Sequence, residues 1–151
     1  MRQRSVVVIG SSLVVASLAL AGCGSRSGGG SSGSDSSAKI AKIGVIAPLS
    51  GDLAALGKGI QNSVDLAIKQ ANEKNAIPGW KIEISAQDDE AKPDVGKNAA
   101  TKLTSDDAVV GVVGTLNSSV AQSVQPVLDA AHIAQVSPAN TNPSLTQGAE
   151  F

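Results

Sequence analysis

Four short apolar runs, separated by stretches of helical period, constrain the fold of this chain more than any other feature. Ile43-Gly-Val-Ile-Ala47 is nearly continuous in apolar residues and stops at Pro48, as a strand buried on both faces does. From about Gly57 the period changes: Ile60, Val64, Ala67, Ile68 and Ala71 recur at helical spacing, with Lys69, Glu73 and Lys74 on other faces. Asn75 and Pro78-Gly79 end that helix and turn the chain. Lys81 to Ser85 alternates polar and apolar, which puts a second strand, half exposed, near a sheet edge. A second helix is predicted from Pro93 to Asp106, with Val95, Ala99 and Leu103 on its inner face. Pro93 suits a first helical turn, where a missing N–H costs nothing. Val109 to Val113 reads as a third strand closing at Gly114, and the helix after Ser119 turns Val120, Val124, Val127, Leu128 and Ala131 inward. Ile133 to Val136 is a fourth short strand, stopped by Ser137-Pro138. The order βαβαβαβ with short connections implies an α/β fold, a parallel sheet with helices on both faces.

Such sheets hold ligands beyond the carboxyl ends of their strands. Those ends are the loops Pro48–Leu56, Asp88–Pro93, Gly114–Ser119 and Ser137–Pro143. Three of them are rich in Ser, Thr, Asn and Gly, which suits hydrogen bonding to a small polar ligand and not acid–base chemistry. Asn117-Ser118-Ser119 opens a helix, whose first N–H groups favour an anion; the plainer reading of Asn117 or Ser118 is an N-cap. Asp88, Asp89 and Glu90 read as carboxylates of a solvated loop, since no His or Cys accompanies them. His132, between a helix and a strand, reads as a packing residue; no Ser-His-Asp arrangement is evident. Neither a dinucleotide nor a P-loop glycine pattern is present, and Ser118 lies in no nucleophile elbow. The chain is thus expected to be no enzyme and to carry no metal or cofactor.

The first 38 residues have a different character. Arg2 and Arg4 precede an apolar run from Val6 to Leu20, too short and too interrupted by Gly10, Ser11, Ser12 and Ser17 for a stable membrane span. Leu20-Ala-Gly-Cys23 looks like a bacterial lipobox, in which the peptidase cuts before a lipidated cysteine. Cys23 is the sole thiol of the chain. Residues 1–22 therefore read as a lipoprotein signal peptide, and loss of Arg2 and Arg4 with it leaves the remainder net acidic. Residues 23–38, nearly all Gly and Ser, form a tether with a reach of about 20 Å. The globular part begins at Lys39 and runs to Phe151.

Composition narrows the function further. With 12 basic against 13 acidic side chains the chain has no excess of positive charge to replace phosphate counterions, so no nucleic-acid partner is expected. Trp80 and Phe151 are the only aromatic residues, too few for base stacking or a cation cage. One cysteine excludes both an internal disulfide and a multi-cysteine zinc site.

Four segments, KIGVIAPLSGDLAALGKGIQNSVDLAIKQAN (42–72), IEISAQDDEAKPDVGKNAATKL (82–103), VVGVVGTLNSSVAQSVQPVL (109–128) and IAQVSPANTNPSLT (133–146), resemble the start of a type I periplasmic-binding protein. The class is that of branched-chain amino-acid (leucine-binding) proteins serving ABC importers. The resemblance implies a binding lipoprotein on the extracytoplasmic face of a bacterial membrane, with a small-molecule ligand and an ABC permease as partners. It further implies that Ser118 bonds the ligand's α-carboxylate, helped by amides at the helix start, with Leu116 contributing its carbonyl or side chain nearby. Ala139 would offer a backbone carbonyl to the α-ammonium, and Thr141 a hydroxyl or amide to the carboxylate. Leu56 falls where branched-chain binders often carry an aromatic residue lining the side-chain pocket. The positions of the family's first-lobe disulfide hold Ala91 and Asn117 here.

The family has two lobes and more than twice this length, so residues 39–151 are expected to form a partial first lobe, in a fragment or truncated product. A ligand-sensing receptor of the same fold and a small flavodoxin-like enzyme are the competing readings.

Overall fold

The computed structural model describes residues 38–147; the signal, Cys23, nearly all of the tether and Phe151 lie outside the described residues. The described chain runs β1 (Lys39–Ala47), α1 (Ala54–Glu73), β2 (Trp80–Asp88), α2 (Pro93–Thr104), β3 (Val109–Gly114), α3 (Ser118–Ala130), β4 (Ala134–Val136) and a short 3-10 turn, η1 (Pro143–Leu145). The four strands are parallel in the order β2-β1-β3-β4, so the βαβαβαβ reading holds and β2 lies at an edge.

Strand β1 is central because its sequence can be buried on both faces: Val45, Ile46 and Ala47 have no exposed surface. Gly44 and Ile46 look toward α2 and α3: Leu103 of α2 and Val112 of β3 fill the space a Gly44 side chain would take, and Ile46 joins Ala99, Ala100, Leu103, Val120, Val124 and Leu128 in one core. Residues of the opposite parity face α1, whose Ile68 and Asn72 lie beside Ile82 and Ile84 of β2. Burying one such Leu or Ile side chain contributes roughly 1.5–3 kcal/mol, and that core fixes the register of the sheet. Register is regular from Lys39–Trp80 to Ala47–Asp88, and shifts once on the other side, between Lys42 and Ile43, leaving Val110 as an unpaired, exposed residue.

Several boundaries and orientations differ from the sequence reading. Helix α1 starts at Ala54, earlier than Gly57, because Leu53 C=O already accepts from the Leu56 and Gly57 amides. Helix α2 ends at Thr104 and not at Asp106; Asp106 instead bonds Lys42 at 2.7 Å. Its buried positions are Gly96, Ala99, Ala100 and Leu103, with Val95 only half buried. Ala67 and Ala131, expected inward, are exposed. His132 is exposed too, with φ +56°. Its amide reaches the Asp129 carbonyl and the Ile133 amide reaches that of Leu128, so it closes α3 in a left-handed turn rather than packing in a core. Asn75 (φ +47°) does the same for α1, as its composition signal suggested.

Two polar side chains hold this framework. Asn72 on α1 donates from Nδ2 to the Ile82 carbonyl (2.8 Å) and accepts on Oδ1 from the Ile82 amide (2.9 Å). Its amide thus copies a neighbouring strand along the free edge of β2, where an unpaired ladder invites foreign strands. Asp89, read from sequence as solvated, is fully buried in the β2–α2 loop. Oδ1 accepts from the Ala91 amide at 2.8 Å, and Oδ2 has no partner. Burial pushes the carboxyl pKa up; the Ala91 amide acts against this and the Asp88 charge reinforces it.

Asn72→Ala should cost about 1–2 kcal/mol in urea unfolding, since two hydrogen bonds to half-buried backbone are lost. For Asp89 the folded pKa lies above the unfolded value of about 3.9. The native state therefore holds the proton longer. Its contribution to stability is complete below the unfolded pKa and is lost as pH rises through the folded one. Asp89→Asn should remove that slope and be the more stable protein at pH 7. A parent and variant with parallel stability–pH curves would contradict it.

Candidate functional site

Parallel pairing brings the loop-bearing ends together: Ile46 is level with Gly114 on β3, and Val113 with Val136 on β4. At the end of β1, Leu49 N–H donates to Asp88 Oδ1 (2.8 Å), which also accepts from Glu90 N–H (2.9 Å). Burial would raise the Asp88 pKa, but hydrogen bonds from Ser50 and from the Glu90, Leu49 and Ser50 backbones outweigh it and hold the carboxyl below its usual range. Gly57 lets α1 approach that loop, since a Cβ there would collide with the Pro48 carbonyl oxygen. Leu56, in the first turn of α1, is 58% exposed.

The β3–α3 loop starts at Gly114, whose φ of +149° and contact with the Ile46 carbonyl leave no room for a side chain. Thr115 is fully buried and donates from Oγ1 to the Asn117 carbonyl at 2.7 Å. Asn117 is the N-cap residue of α3 by position, and its carbonyl accepts from the Val120 and Ala121 amides. Its side chain does not cap the helix; Oδ1 is buried without a partner. The Ser118 and Ser119 amides therefore meet no acceptor among the described residues. Together with the helix dipole they offer a seat for an anion.

The β4–η1 loop folds onto this seat. Ser118 Oγ accepts from the Thr141 amide (3.2 Å) and the Asn142 amide (3.3 Å). Asn140 Nδ2 donates to the Leu116 carbonyl (3.2 Å), and Ser137 Oγ donates to the Thr115 carbonyl (3.3 Å) while accepting from the Ala139 and Asn140 amides. Of the five ligand residues expected from sequence, Leu116, Ala139 and Thr141 lie on these two stitched loops and Ser118 opens α3 between them, whereas Leu56 stands apart in the first turn of α1. The Leu116 carbonyl is already engaged by Asn140. Thr115, Ser137 and Asn140 escaped the sequence reading, although Ser and Asn beside Pro138 carry the ordinary signal of a side chain bonding its own loop. No group of three or more His, Cys, Asp or Glu is placed to hold a metal among the described residues.

Known proteins resemble this chain in sequence and in fold. A family profile described as periplasmic binding protein matches residues 41–150. The Leu/Ile/Val-binding protein BraC3 of Rhizobium johnstonii is 38% identical over 105 residues, which are 70% of this chain and 28% of that protein. Among solved structures, the branched-chain amino-acid substrate-binding protein LivJ of Streptococcus pneumoniae, in complex with isoleucine, superposes with a TM-score of 0.68 at 30% identity. The match covers 73% of this chain and 32% of LivJ. A solute-binding protein of Rhodopseudomonas palustris in complex with 3,4-dihydroxybenzoic acid gives 0.64 at 30% identity, covering 72% and 29%. The chain thus spans under a third of the length of these relatives. With a family match over most of its residues and the parallel sheet these neighbours share, the chain belongs to the periplasmic binding protein family.

Proposed function

We propose that this chain supplies ligand-gripping loops of an extracytoplasmic solute-binding protein that captures a branched-chain amino acid, or a similar small carboxylate, for an ABC importer. The observation that carries this reading is the uncapped start of α3, with the Ser118 hydroxyl beside it and the Thr141 loop folded over it. Isoleucine and 3,4-dihydroxybenzoic acid, the ligands of the two solved relatives, share a carboxylate and little else. A carboxylate is what unpartnered helix-start amides and a hydroxyl donor would hold. Leu56 leaves an aliphatic surface for the rest of the ligand. Residues 39–151 are read as part of one lobe, and the remaining contacts to the ligand as coming from the length of the relatives that this chain does not span. The family is one of binding proteins and not of enzymes.

Anchoring belongs to the same proposal. Cys23, following Leu20-Ala-Gly22, is the residue that would carry the lipid, and the tether would hold the domain off the membrane.

Calorimetry with L-leucine and L-isoleucine, on the protein at its full native length, tests the site. A hydrogen bond to a charged group is worth about 1.5–3 kcal/mol, so Ser118→Ala should weaken binding roughly ten- to a hundred-fold. Thr141→Val should act in the same direction, and Ser123→Ala, further along α3, should not. Equal affinities in all three variants would place the carboxylate elsewhere. Separately, Cys23→Ser should abolish labelling by a radioactive fatty acid and release the protein from membranes; retained labelling would end the anchor proposal.

A further inference from the structure

Asn140 stands apart from its neighbours: it is half buried, whereas Ala139, Thr141 and Asn142 are exposed. It is fastened twice. Its backbone amide donates to Ser137 Oγ at 2.9 Å. Its side-chain Nδ2 reaches across to the β3–α3 loop, to the Leu116 carbonyl at 3.2 Å and Thr115 Oγ1 at 3.5 Å. Thr115 is itself fully buried, so Asn140 is tied to a fixed point of the sheet.

We infer that Asn140 is a positioning residue, whose amide group fastens the β4–η1 loop to the β3–α3 loop and so assembles the ligand end of the sheet before any ligand arrives. What the loops are for rests on the reading above; the clasp does not. Two consequences follow from its geometry. The next two amides, of Thr141 and Asn142, are delivered to Ser118 Oγ, although both residues are exposed and water competes for them. A hydroxyl has two acceptor sites and one proton. With both acceptor sites filled from within the protein, the Ser118 proton is left for an acceptor outside these two loops. The clasp therefore sets the direction of the hydroxyl as well as the place of the loop. It also removes, ahead of binding, the conformational freedom of a polar loop that would otherwise be lost when the ligand binds.

Residue-resolved amide hydrogen exchange on the chain without ligand tests this. Asn140→Asp keeps the shape but sets a carboxylate oxygen against the Leu116 carbonyl, and Asn140→Ala removes the group. In both variants the Thr141 and Asn142 amides should exchange about ten-fold faster or more, while Val45 and Ile46 in β1 keep the parent's protection. Unchanged exchange at Thr141 and Asn142 in both variants would overturn the inference, as would their lack of protection in the parent chain. Acceleration reaching Val45 and Ile46 would also overturn it, because Asn140 would then support the whole fold and not the loop. An L-leucine titration of the protein at its full native length reads the other question: a protected loop with no binding there would remove the ligand assignment and leave the clasp standing.

Discussion

Everything at the loop-bearing end of this protein depends on where β1 is pinned. Its parallel ladders set Ile46 level with Gln87 on one side and Gly114 on the other, and the buried side chain of Ile46 locks that alignment into the α2–α3 core. Side chains alternate between faces, so a slip of one residue would send Ile46 to the α1 face and bring Val45 into the core. It would also displace Pro48 and Leu49 from Asp88, and the Ile46 carbonyl from its close approach to Gly114. The geometry of the site is thus a consequence of core packing two residues away from it.

Much of this was legible because it is written in periods. The continuous run at Ile43–Ala47 marks a strand covered on both faces, and the alternation at Lys81–Ser85 marks an edge, since an edge strand meets water along one side. Asn75 showed the end of α1 through a residue type that tolerates a left-handed conformation. His132 occupies the equivalent place after α3 without such a signal, so its sequence context does not separate a turn residue from a packing one. Ala67 and Ala131 were placed inward because alanine fits either environment at helical spacing. The same weakness extended α2 to Asp106: the acid continues the helical register, but its partner, Lys42, is distant in sequence.

The polar connections were the least legible part. Asn72, Asp89 and Asn140 each sit in a segment where an Asn or Asp would ordinarily face water, and their partners are chosen by the fold. Asn72 needs α1 beside the edge of β2. Asp89 is buried only because α2 and α3 close over its loop, with the Cα of Gly96 lying against both Asp89 and Val120. Asn140 needs β4 beside β3. A family resemblance suggests residues to face a ligand, Ser118 and Thr141 among them, and these two are in hydrogen-bond contact. It does not transfer the residues that hold those two together.

Charge is distributed along the strand ends in a way that bears on what the site can accept. The loops after β3 and β4, residues 114–119 and 137–143, contain no ionisable side chain. The acids at this end are Asp52, in the loop after β1, and Asp88, Asp89 and Glu90 at the end of β2, and β2 is separated from β3 by the width of β1. With strands about 4.8 Å apart, that places the acidic loop roughly 10 Å from the start of α3, and farther from β4. That distance is comparable to the Debye length of about 8 Å at physiological ionic strength. Asp89 is moreover pushed toward its neutral form, and the Asp88 carboxylate is turned onto the amides of Leu49 and Glu90. The partial positive charge at the start of α3 thus lies between two loops that carry no carboxylate of their own. Within the loops after β3 and β4 a small anion would meet donors and no carboxylate, and a cation no acceptor stronger than a backbone carbonyl or a hydroxyl. The strand order that fixes the core therefore also keeps the acids of the β2–α2 loop away from the start of α3.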